Sequence, residues 1–145
     1  MLYGNIPVFT YHIAYPSFST TCVLSAAQTA NIYYMQLAEN TEQYCRTVLY
    51  PQAVESARYI TSNHPPFNRY TLDMNYQITY NSGCITSLYM DTYTYMGGAH
   101  QELERISDTW DFSTGRQLHL DDISALTPAA LNGLQTSVER QIAER

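Results

Sequence analysis

The sequence predicts an α+β fold: an antiparallel meander sheet of about four strands, with a long helix and a C-terminal helix packed on one face. Three observations carry this expectation. From Tyr70 to Tyr80 every even position is apolar or aromatic and every odd position polar, the period-2 pattern of a strand with one face buried and one in water. Upstream, Ala30, Tyr33, Tyr34, Leu37, Thr41, Tyr44, Cys45 and Val48 recur at helical spacing. Between such segments the loop signals are short, with no repeat and no low-complexity tract, so residues 1–145 read as one domain.

The elements follow in order. Residues 6–15 read as a strand, with Phe9, Tyr11, Ile13 and Tyr15 alternating with Val8, Thr10, His12 and Ala14. Pro7, which has no N–H to donate, suits an edge or a strand start. Ser25-Ala26-Ala27-Gln28 has capping-box spacing and opens the long helix. Pro51 predicts a kink or interruption, because its ring crowds the preceding turn. Ala53, Val54, Ala57 and Ile60 resume the pattern until His64-Pro65-Pro66 stops it. The next strand puts Tyr70, Leu72, Met74, Tyr76, Ile78 and Tyr80 on the core face. Asn81-Ser82-Gly83 turns the chain, with Gly available for positive φ. Residues 84–95 are bulky on both sides, Leu88 and Met90 on one and Tyr89, Tyr93 and Tyr95 on the other, which predicts a central strand. In residues 100–112, Leu103 is out of phase with Ile106, Trp110 and Phe112, which predicts a bulge between 103 and 106. Thr114-Gly115 turns again, and Leu118 and Leu120 pair back. Asp121-Asp122 caps a short helical turn. Thr127-Pro128 starts the last helix, whose apolar stripe is Leu131, Leu134, Val138 and Ile142.

Composition excludes several functions. Lys is absent, seven Arg face 13 acidic residues, and the net charge is −6. A chain this acidic lacks the basic surface that nucleic acid or an anionic membrane requires. No run of residues reaches the length and hydropathy of a membrane span. The first residues lack the pattern of a signal peptide, so the protein is either cytoplasmic or stripped of its targeting segment. Cys22, Cys45 and Cys84 are too widely spaced for CxxC metal or redox motifs. At most one disulfide can form among them, leaving one thiol over. Three buried, inert thiols is the favoured reading.

Gly97-Gly98-Ala99-His100 is the most unusual local feature. Paired glycines permit a sharp turn or a close approach to another group, and a His directly after them can donate to a ligand or accept a proton. Gly97, Gly98 and His100 are therefore candidate binding residues, together with the neighbouring Tyr93 and Tyr95. The plainer reading is a tight connection whose His satisfies nearby carbonyls. The tyrosines 89, 93 and 95 serve either the core, through cross-strand pairing, or an interface. His100, Glu102 and Glu104 are of metal-ligating type at period two, but a solvated strand face accounts for them more simply. His119-x-Asp121 is equally weak, and His12 and His64 stand alone as structural or solvent-facing residues. There is no G-x-S-x-G, no P-loop and no G-x-G-x-x-G. Neither a catalytic set nor a metal nor a cofactor is predicted. The enzymatic alternative is a hydrolytic or metal-dependent activity centred on His100, Glu102 and Asp111.

Two stretches carry a resemblance. Tyr93-x-Tyr95-x-Gly97-Gly98-Ala99-His100, followed by Trp110-Asp111-Phe112-Ser113-Thr114-Gly115-Arg116-Gln117-Leu118-x-Leu120-x-Asp122, resembles a bacterial extracellular domain of unknown function. That domain occurs in lysozyme-sensing anti-sigma factors of the RsiV kind and beside the catalytic domain of PdaC-type peptidoglycan deacetylases. The opening strand Ile6-Pro7-Val8 and the following helix are similar too, so the likeness spans roughly residues 6–125. Gln101 departs from the family's glycine. The deacetylase motifs are missing, so that activity is not implied. The family's domain continues past the second helix into further strands, which implies that its last strands lie outside these residues. The resemblance implies an extracellular or membrane-tethered module of the cell envelope that binds or senses a ligand, either a lysozyme-like protein or peptidoglycan fragments. The alternatives that the resemblance implies are a cell-wall glycan hydrolase with its site near His100 and an accessory role beside a deacetylase. An unfinished sheet leaves an open edge, through which a homodimer can form.

Overall fold

The structure is a computed structural model that describes residues 1–63 and 66–144. A small antiparallel hairpin, β1 (Leu2–Tyr3) and β2 (Ile6–Pro7), precedes the main sheet. That sheet has five strands in the order β3 (Phe9–Ile13), β4 (Tyr70–Ser82), β5 (Ile85–Tyr95), β6 (Glu102–Asp111) and β7 (Arg116–Leu118). From β4 to β7 it is the expected antiparallel meander, and β5 is central. The expectation of about four antiparallel strands is corrected at β3, which runs parallel to β4 with Phe9 opposite Tyr70 and Ile13 opposite Met74. The sheet is therefore mixed. The cause is the helical crossover after β3, which carries the chain back across the sheet so that β4 starts from the same end.

The crossover consists of α1 (Leu24–Tyr44), a π-helical turn (Cys45–Leu49) and α2 (Tyr50–Asn63). Pro51 does not break it. The π turn just before the proline widens the backbone where the ring would otherwise crowd a carbonyl, and the helix continues. The predicted stop at His64-Pro65-Pro66 falls on residues 64 and 65, outside the described residues, as does His64 itself. Ala26, Ala27, Ala30, Ala53 and Ala57 are buried, and these small side chains let the helices lie close to the sheet. Tyr34, Cys45 and Leu49 complete the helical side of a core whose sheet side is Phe9, Leu72, Met74, Leu88, Met90 and Trp110, with Phe112 just beyond β6.

The start of α1 also differs from expectation. Ser25 lies inside the first turn, and the residue before the helix, Val23, provides no side-chain cap. Tertiary bonds fix this end instead. The Val23 N–H donates to the Phe112 carbonyl (3.2 Å). Cys22 is disulfide-bonded to Cys84, with Cα atoms 6.2 Å apart, which corrects the reading of three free thiols. Gly83 and Cys84 both have positive φ (58° and 66°), so they form the two-residue hairpin turn between β4 and β5. Cys45 remains a buried thiol, whose pKa is pushed up to about 11 by that burial.

In β4 the predicted apolar face divides. A bulge lies between Ile78 and Tyr80: Ile78 is opposite Leu88 on the helix-covered side, whereas Tyr80 is opposite Ser87 on the other side. Leu72 and Met74 are buried and Tyr70 half-buried, while Tyr76 and Ile78 stay exposed beyond the helices. The bulge expected in β6 does not occur, since β6 pairs with β5 without a register shift. Leu103 is simply exposed on the side away from the helices. Leu120 begins a short helix, α3 (Leu120–Ile123), rather than pairing back, and Asp122 accepts from the His119 N–H at its start. In α4 (Pro128–Ala143) Thr127 caps the N-terminus as expected, accepting from the Ala130 N–H (3.2 Å). Its stripe is not packed on the sheet, however. Leu131, Leu134, Val138 and Ile142 are 47–70% exposed, because the π-containing crossover already occupies the helix side.

Candidate binding face of the sheet

With both long helices on one side, the odd-numbered residues of β4, β5 and β6 form a face that no helix covers. Three rows cross it. His12, Asp73, Tyr93 and Leu103 stand opposite one another across four strands. Asn75, Asp91 and Arg105 form the second row; Gln77, Tyr89 and Ser107 form the third. The tyrosines 89, 93 and 95 are half-buried, lying along the sheet rather than under a helix.

The central row is tightly organised. Arg105 donates to Asp91 through two parallel bonds, Nε to Oδ1 and Nη2 to Oδ2, both 2.6 Å. Its guanidinium lies over the Tyr89 ring, 4.0 Å from the centroid. The Arg105 hydrogen bonds hold the Asp91 carboxyl below the usual carboxylate range, so the pair stays ionised through neutral pH. Tyr93 Oη donates to Asp91 (3.4 Å), and Tyr89 Oη donates to Gln77 (2.5 Å). His12 Nδ1 lies 3.7 Å from Asp73, which also accepts from Asn75. The consequence is a set of aromatic rings whose edges and faces are fixed by planar polar groups, all on rigid strands.

Two hollows open on this side. One, of about 320 Å³, is lined by Thr10, His12, Asp73, Tyr93 and Gln101 among others. The second, of about 590 Å³, is lined by Ile6, Pro7, Phe67, Arg69, Thr71 and Tyr95 among others. Tyr93 and Tyr95, which the sequence selects, thus each flank a hollow. The other three candidates sit in the β5–β6 connection. Gly97 has φ +77°, and a Cβ there would lie 3.2 Å from the Asn68 carbonyl oxygen, while the Asn68 side chain donates to the Gly97 carbonyl (3.1 Å). Gly98 has open space around it, and His100 is exposed. Gly97→Ala is expected to cost about 1–2 kcal/mol and Gly98→Ala close to nothing, as read by thermal or urea denaturation. Equal costs would contradict this account of the turn.

The enzymatic alternative is not assembled. His100 and Glu102 stand at the start of β6 and Asp111 at its end, separated by about 30 Å of extended strand. The Asp111 carboxylate is moreover engaged by the Ser113 N–H, the Ser113 hydroxyl and the Thr114 hydroxyl, which shape the turn into β7. Among the described residues no three His, Cys, Asp or Glu side chains are placed to hold a metal. Sequence reading set His12 aside as structural or solvent-facing and missed Asp73, Asp91 and Arg105. Only strand register could have found them, because the partners lie on different strands.

A mixed sheet with helices on one side and an organised polar–aromatic face on the other defines an α+β domain. Residues 4–101 match the family model described as Deacetylase PdaC, and the chain belongs to that family. It is similar in structure to a DUF3298-family protein of Bacteroides fragilis, with a TM-score of 0.58 at 17% identity, over 79% of this chain and 51% of that one. A DUF3298-family protein of Pseudomonas aeruginosa matches with a TM-score of 0.40 at 18% identity, over 57% of this chain and 36% of that one. The chain thus spans about half the length of the Bacteroides structure. No curated protein matches it. No described helix is long and apolar enough to cross a membrane.

Proposed function

We propose that this chain is an extracytoplasmic, cell-wall-related accessory domain that binds glycan through the uncovered sheet face. The observation that carries the reading is the arrangement of Tyr93 and Tyr95, each flanking a hollow, beside fixed Asp, Arg, Asn, Gln and His side chains, with Arg105 already covering the Tyr89 ring. Sugar rings present C–H groups to the electron-rich face of an aromatic ring and hydroxyls to planar donors and acceptors, and this face offers both. Membership of the PdaC family supports the cell-wall assignment. The Cys22–Cys84 disulfide supports an oxidising compartment, where such bonds persist.

Titration of soluble muropeptides and chito-oligosaccharides, followed by amide chemical-shift changes, tests the proposal. Shifts should cluster on Tyr89, Asp91, Tyr93, Tyr95 and Arg105. Tyr93→Ala should weaken binding about tenfold, the loss of one ring contact. Shifts scattered over the helices, or silence with both ligand sets, would defeat it. The second reading, a lysozyme-like partner, draws its support from the net charge of −6, which complements a basic protein. Calorimetry with lysozyme separates the two, since a protein contact of this electrostatic kind weakens steeply with salt and a glycan contact does not.

A further inference from the structure

Beyond that reading, we infer that two copies of this chain pair through the outer edge of β4, antiparallel and about a two-fold axis at Gln77. β3 covers only the first part of β4. Its last pair is Ile13 with Met74, and the Ala14 N–H donates to the Met74 carbonyl. From Asn75 to Ser82 the outer side of β4 has no strand beside it among the described residues, and all eight residues are exposed. Free main-chain donors and acceptors on such an edge recruit another strand.

Ahead of the bulge at Ile78, the edge lacks the charges and prolines that normally prevent this. From Met74 to Met90 there is no charged residue and no proline. That same property argues for a second copy as the occupant. Two chains of net charge −6 repel, and this hairpin is where they can meet without apposing like charges. Self-pairing also satisfies the side chains. With the axis at Gln77, Tyr76 of each copy stands opposite Ile78 of the other, and both residues are on the helix-covered side, exposed at 40% and 43%. An aromatic paired with a β-branched residue is a favourable cross-strand contact, and symmetry makes it twice. Gln77 meets Gln77 on the opposite face. The bulge after Ile78 turns Tyr80 away, so the pairing ends there.

Sedimentation velocity and light scattering of the intact chain test this, with the fold of each variant checked by circular dichroism. The wild type should be dimeric at about 200 µM. Ile78→Lys, which puts a charge on the edge, should be monomeric there. Leu134→Lys, the same change on the exposed stripe of α4, should remain dimeric. Gln77→Cys should cross-link on mild oxidation about tenfold faster than Asn81→Cys, because only residue 77 faces its own copy. Cys45 is buried and the other two cysteines are paired, so each variant carries a single accessible thiol. A monomeric wild type at that concentration, equal disruption by Leu134→Lys, or equal cross-linking at 77 and 81 would each overturn the inference. The glycan titration is read at Tyr93 and Tyr95, which stand opposite Asp73 and Thr71, four and six residues from the Gln77 axis, so the two proposals fail separately.

Discussion

Replacing Cys22 and Cys84 together by serine is expected to destabilise the protein by about 4 kcal/mol, the chain-entropy value for a loop of this length. The two residues are 62 apart in sequence. The bond ties the entry to α1 to the turn between β4 and β5, so it closes a loop containing β4 and the whole crossover. Without it the unfolded chain gains freedom, and the first turn of α1, which has no side-chain cap, relies on the Val23–Phe112 backbone bond and the buried Ala26 and Ala27. The midpoint of thermal unfolding should fall by on the order of 10 °C. The wild type treated with reductant should move toward the double variant, whereas Cys45→Ser alone should not reproduce the effect. A double variant within about 1 kcal/mol of the wild type would sink this account.

Tyr34→Phe is expected to cost about 2–3 kcal/mol, although it removes a single oxygen. The Tyr34 hydroxyl is fully buried. It donates to Asp108 Oδ2 (2.8 Å) and accepts from Trp110 Nε1 (2.9 Å). Asp108 is 7% exposed and also accepts from Gln117 on β7, so one hydroxyl links α1 to β6 and, through Asp108, to the last strand. Phenylalanine leaves a buried indole N–H without an acceptor and a buried carboxylate short of a donor. Urea denaturation reads the loss, and a change below about 0.5 kcal/mol would contradict it. The pH dependence has a definite sign. Burial pushes the Tyr34 phenol well above its ordinary value, so the folded state favours the protonated form. That contribution is complete below about pH 10, where a free tyrosine is protonated, and is lost as the pH rises further. The Tyr34→Phe variant should lack this part of the alkaline decline.

Much of the fold was legible because it depends on local chemistry. Thr127-Pro128 supplies an acceptor and a preset φ at one helix end, whatever surrounds them. The β4–β5 hairpin follows from alternation on either side of a turn containing Gly83. Tyr93 and Tyr95 were chosen as neighbours of the Gly97–His100 connection, and each flanks a hollow on the uncovered face. The Arg105–Asp91 clamp was invisible because its residues are 14 apart, brought together only by the register of β5 with β6.

By itself the sequence determined the α+β class, the central place of β5, the start of α4 and the separation of Leu88 and Met90 from Tyr89, Tyr93 and Tyr95. Each is written in a period of two or 3.6 or in a turn residue, and such signals act over a few positions. The tertiary structure alone decided that β3 runs parallel to β4, that Cys22 meets Cys84, that a bulge sends Tyr80 to the opposite side from Ile78, and that the stripe of α4 stays in water. Periodicity specifies that a face is apolar. What covers that face depends on where a distant element comes to lie, and the energy of that contact is shared between segments whose spacing in sequence carries no signal. Tyr76, Ile78 and Leu131 read as core residues, yet all three remain exposed.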